Sequence, residues 1–125
     1  MGAVVPRDAF VAAKLREAGA IFIGKANMSE WASWRGISVP DGFSGRGGQS
    51  HCPYYPHSNP FGSSSGNGVA MAVGLAAGSI GTETDGSIVL PSSRNNIVGI
   101  KPTVGLVSRA GGTCIRKTKS IATLI

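Results

Sequence analysis

Two cysteines, Cys52 and Cys114, are all that this 125-residue chain contains. That is too few for the disulfide framework of a small secreted domain. No apolar run approaches the roughly 20 residues that a bilayer requires, which excludes a membrane-spanning helix. The N-terminus lacks a basic stretch leading into an apolar core, so no secretory signal is expected and no compartment is assigned. Met1-Gly2 is followed by Pro6 where an N-myristoylation site carries Ser or Thr. Charge is scarce as well, at 14% of residues against a usual share of about 25%. Acidic residues stop at Asp85, so Arg94, Lys101, Arg109, Arg116, Lys117 and Lys119 supply the entire net charge of +6. No aromatic residue interleaves with these six and no groove-reading motif accompanies them. They are therefore read as a solvated basic tail, and a nucleic-acid partner is not expected.

Glycine is plentiful, with 19 residues, and a third of the chain is Gly, Pro or Ser. The glycines border apolar runs, the pattern of tight turns in a packed α/β protein rather than of low complexity. Ala9 to Ala18 places Val11, Leu15 and Ala18 on one helical face, with Asp8 as the expected N-cap and Gly19 as the left-handed stop. Ala20 to Ile23 reads as a fully apolar strand, so helix and strand together suggest half of a unit with a buried parallel sheet. Asn27 to Trp31 is expected to open a short helix. Residues 35–61 form a long Gly-, Pro-, Ser- and Asn-rich loop, a kind that is usually functional or packed by something else. Val69 to Ala77 is apolar on every side and predicts a buried helix. Ser79 to Thr82 and Ile97 to Ile100 predict two more strands, the first leading into the polar turn Glu83 to Ser87. From Gly111 to Ile125 no period is visible, and there are no internal repeats.

Chemistry concentrates around the serines. Gly62-Ser63-Ser64-Ser65-Gly66 matches the G-x-S-x-G nucleophile elbow with Ser64 as nucleophile. That motif needs a strand before it and a histidine after it. Pro53, Pro56 and Pro60 break the strand, and His51 and His57 both precede the motif. A phosphate-binding loop fails too, because no Lys-Ser or Lys-Thr follows the glycines. His51, Cys52, His57 and Cys114 offer metal-ligand atoms, but adjacent His-Cys lacks the usual ligand spacing, so neither a metal nor a cofactor is expected.

Six separated blocks carry a more specific signal: Val5 to Ala9, Gly24 to Trp31, Gly45 to Gln49, Gly62 to Gly66, Gly81 to Ile88, and Val98 to Thr103. In this order they resemble the amidase-signature family, in particular its fungal and plant-like branch. The resemblance implies an α/β fold, here a piece of a mixed β-sheet flanked by helices, with residues 1–111 as a partial amidase-signature domain and 112–125 as a divergent basic tail. It implies hydrolysis of a small-molecule amide by a Ser–cis-Ser–Lys arrangement. Matched block to block, Ser87 takes the nucleophile's place and Ser63 that of the cis-peptide serine relaying its proton. The backbone N–H groups of Thr84, Asp85, Gly86 and Ser87 take the place of the oxyanion hole.

The family's catalytic lysine lies further upstream of its cis-serine than the 62 residues that precede Ser63 here. Lys25 belongs to a block that follows that lysine and does not replace it. The chain is thus expected to be shortened at both ends relative to the family and inactive by itself. Two alternatives stay open: a non-catalytic remnant, and a basic-tail module that binds anionic partners. Self-association through exposed core faces is expected, and the substrate is left open.

Overall fold

A computed structural model describes residues 4–112 and 120–124 of the chain. Helix α1 spans Phe10–Glu17 and ends where expected, with Gly19 at φ +87°. Asp8 does not cap it. Ala9 holds the N-cap position without a side-chain bond, and Asp8 pairs with Arg16 at 3.1 Å instead. The strand expected over Ala20 to Ile23 does not form, because an extended segment becomes a strand only with a ladder partner. Ile21 and Ile23 stand exposed. A turn at Glu30–Ser33 replaces the expected short helix. Its residues Trp31, Ala32 and Ser33 take φ of 52°, 54° and 63°, a left-handed run that costs roughly 1–2 kcal/mol per non-glycine residue.

The long loop is not structureless. Strands β1 (Phe43–Ser44) and β2 (Gly48–Gln49) pair antiparallel within it. Asn27 pins them: its Nδ2 donates to the carbonyls of Gly42 and Gly48 and to Ser50 Oγ, while its Oδ1 accepts from Ser44 Oγ at 2.7 Å. Helix α2 (Ser65–Ala72) begins among the serines, four residues before the apolar run, and stops at Gly74 in the left-handed region. Strand β3 (Ser79–Glu83) follows as expected. Helix α3 (Val89–Arg94) then leads to Ile97–Ile100, where Gly99 makes a single bridge instead of a strand. Strand β4 (Ser120–Leu124), in a stretch without visible periodicity, pairs antiparallel with β3 in the register Gly81 to Ala122. Both ladders are antiparallel, so the buried parallel pairing inferred from the helix–strand order is not among the described elements.

The interior is small and largely polar. Ile88 is fully buried, with Met71 and Ile97 against it, and among the described residues Cys52 is the other buried hydrophobic residue. Ser29, Ser63, Ser64, Ser65, Glu83, Ser92 and Asn95 are buried beside them. Among the described residues no helix is long and apolar enough to cross a membrane.

Candidate active site

The α2–β3–α3 unit brings the two serine blocks together. Ser64 N–H donates to the carbonyl of Ser87 at 3.1 Å, so the segments touch backbone to backbone. Ser64 Oγ accepts from Thr82 N–H and donates to the Thr82 carbonyl, which stitches the start of α2 to β3. On the other side, Ser29 N–H donates to the carbonyl of Ser63 at 3.0 Å. The Gly62–Ser63 peptide bond is cis. Gly62 lies over a buried polar group: a Cβ there would stand 2.7 Å from Asp41 Oδ1 and collide with Ser29 Oγ. Glycine fits because it has no Cβ. Ser29 Oγ itself accepts from Gly42 N–H, donates to Asp41 and meets Ser65 Oγ at 3.3 Å.

Ser63, Thr82, Thr84, Asp85 and Ser87 line one cavity of about 210 Å³, together with Ala32 and Trp34. Ser63 is 3% exposed, and its Oγ has no hydrogen-bond partner among the described residues. A buried hydroxyl in that condition is uncommon, and Ser79 Oγ shares it. Gly86, expected beside the other three oxyanion residues, is not in the lining. At φ +80° it turns the chain, and its N–H donates to Glu83 Oε1 at 2.9 Å. Glu83 Oε2 accepts from Ile88 and Val89 at 2.8 and 3.0 Å. The carboxylate therefore grips the backbone before and after Ser87 and caps α3, a role the spacing of the motif did not reveal.

No lysine or histidine lines the cavity among the described residues. Lys14 is paired with Glu17, Lys101 donates to the Pro102 carbonyl, and Lys25 is exposed. His51 and His57 pack edge to face at 6.0 Å, and the Cys52 thiol donates weakly to the Arg94 carbonyl. Cys114, the fourth residue considered for a metal, lies outside the described residues, as do Arg116, Lys117 and Lys119 of the basic tail. Among the described residues no group of three or more His, Cys, Asp or Glu side chains could hold a metal ion.

Comparison with known proteins agrees with the block-by-block resemblance. The family model "Amidase" matches residues 2–124. A probable amidase of Arabidopsis thaliana is 57% identical over 111 residues, which cover 89% of this chain and 22% of that protein. The solved structure of the native peptide amidase from Stenotrophomonas maltophilia superposes with a TM-score of 0.93 at 51% identity, covering 95% of this chain and 25% of that one. That of an amidase family protein from Bacillus anthracis superposes with a TM-score of 0.92 at 41% identity, covering 94% and 24%. The chain thus spans about a fifth of the length of the plant relative and about a quarter of the two solved chains. With the family model covering nearly its whole length, the chain belongs to the amidase family.

Proposed function

We propose that this cavity is built for acyl transfer from a small amide to Ser87, the first half of amide hydrolysis. The observation that carries the reading is the shared cavity of Ser63 and Ser87, with the Ser63 hydroxyl buried and without a partner among the described residues. Ser87 Oγ attacks the amide carbon and gives its proton to Ser63 Oγ, whose own proton passes to a base from outside the described lining and returns by the same route to the departing amine nitrogen. The backbone N–H groups of Thr84, Asp85 and Ser87, on the turn shaped by Gly86, are the donors for the oxyanion, each worth a few kcal/mol. Collapse of the tetrahedral adduct breaks the C–N bond, and the amine leaves with a proton. Water then cleaves the Ser87 ester to a carboxylic acid and restores the hydroxyl. Because no lysine or histidine stands in the described lining, amide turnover by this chain is expected at background, a hydroxyl without a base being a poor nucleophile.

The test separates the nucleophile from the base. The purified chain is treated with an activated aryl ester and analysed by intact-mass and peptide mapping. One acyl group on the peptide that carries Ser87 is expected, absent in Ser87→Ala and formed roughly tenfold or more slowly in Ser63→Ala. Equal acylation of the wild type and Ser87→Ala, spread over lysines, overturns the reading. Amide turnover measured in parallel should be negligible. Turnover that is lost in Lys25→Ala would make Lys25 the base and overturn the expectation of an inactive chain.

A further inference from the structure

The cavity has an apolar wall that the acyl-transfer reading does not use. Ala32 and Trp34 come from the left-handed turn, while every other lining residue is a serine, a threonine or Asp85. The turn is held firmly. Ala32 N–H donates to the Ser29 carbonyl at 2.9 Å, Trp34 N–H to the Trp31 carbonyl at 3.1 Å, and Ser33 Oγ to Asp41. Three consecutive non-glycine residues in a sparsely populated backbone region persist only where their surroundings impose them, and such strain gathers at ligand-binding segments. Here it sets an indole, about half exposed, at a cavity whose other lining is polar. Asp85 is the single ionisable side chain in the described lining. The cavity is also small, below the roughly 300–1,000 Å³ of sites for drug-sized ligands.

From these features we infer that Trp34 and Asp85 determine specificity, and that the site takes small uncharged or cationic carboxamides bearing one flat apolar group and rejects anionic ones. The ring of the ligand lies against the Trp34 indole and Ala32, where an aromatic pair adds to the burial of apolar area. The carboxamide then faces the serines. Asp85 is exposed at the cavity, and a carboxylate on the ligand would meet it there as a like charge, which disfavours it. The inference rests on the acyl-transfer reading for the direction of the carboxamide. The binding preference itself requires no turnover.

Calorimetry on the full chain with benzamide, acetamide and 4-carbamoylbenzoate tests it, with the indole N–H resonance of Trp34, assigned through Trp31→Phe, reporting location. Benzamide is expected to bind saturably and shift that resonance, with acetamide and 4-carbamoylbenzoate weaker by about tenfold or more. Trp34→Ala should remove the preference for benzamide over acetamide, and Trp34→Phe should restore most of it. Asp85→Asn should bring 4-carbamoylbenzoate up to the level of benzamide. Equal affinities in the wild type, a Trp34→Ala variant that keeps its preference, or no saturable binding at all would each overturn the inference. Binding with this preference in a chain whose Ser87 resists the activated ester would leave the inference standing and remove the acyl-transfer reading.

Discussion

One carboxylate fixes the backbone on both sides of Ser87. Glu83 is 5% exposed and accepts N–H bonds from Gly86, Ile88 and Val89. Ser63 and Ser87 stand out in the sequence only through the ordered set of family blocks, because a Ser-Gly-rich segment alone reads as an ordinary turn. The role of Glu83 is not legible, since an acid at the end of a strand reads equally well as a solvated charge. Replacement by glutamine keeps the shape but turns one acceptor oxygen into a donor facing N–H groups. Glu83→Gln is therefore expected to lose about 1–3 kcal/mol, the cost of leaving a buried donor unsatisfied, as measured by urea denaturation. Stability within a few tenths of a kcal/mol of the wild type would show that these bonds are dispensable. Ile88 is a fully buried aliphatic residue, packed on Met71 and Ile97. Ile88→Ala should cost about 2–5 kcal/mol by the same measurement, the range for large-to-small changes in a packed site.

Elements whose partners lie close in sequence are the legible ones. α1 and β3 stand near their expected positions, whereas the buried helix expected over Val69 to Ala77 is displaced: α2 starts at Ser65, Gly74 stops it, and Val73 and Leu75 stand exposed. The apolar segments Ala20 to Ile23 and Ile97 to Ile100 have strand composition, yet composition does not supply a neighbour, and neither builds a ladder. β4 escapes the sequence for the opposite reason: its pairing with β3 crosses some forty residues, and nothing in its own pattern announces it. The order of the long loop is equally hidden, because it comes from side chains, above all Asn27, rather than from periodicity. Asn27→Ala should therefore raise amide exchange across residues 42–50 and leave α2 protected. Unchanged exchange in the loop would mean that β1 and β2 hold by themselves. Gly66 is a second constraint at this scale. Its N–H bonds to the Asn27 carbonyl, and an added Cβ would stand 2.5 Å from the backbone N and O of Asn27. Gly66→Ala should destabilise the chain despite the better helix propensity of alanine, because two backbones must separate to admit the methyl group.

At the scale of the whole molecule, the surface is too large for the mass. The accessible area is 8188 Å², whereas a folded monomer of this mass (12.7 kDa) exposes about 6,200 Å². The excess of about 2,000 Å² on one chain is more than the roughly 800 Å² that each partner contributes to a standard protein–protein interface. Much of it is apolar: Ile21, Ile23, Ile37, Leu75, Val98 and Leu106 are all exposed. Both ladders have two strands among the described residues, and edge strands offer backbone groups to other chains. Self-association is the expected outcome, since burial of such surface is favourable at roughly 25 cal/mol per Å². Sedimentation should show oligomers that dissociate on dilution, an apolar dye should bind, and thermal unfolding should be broad. Substituting Ile21→Lys and Ile23→Lys together should shift the distribution toward monomer without loss of helicity, because neither side chain contributes to the core. A clean monomer with a sharp cooperative transition at high concentration would show that the exposed faces close on one another in solution, and association would then have no driving force.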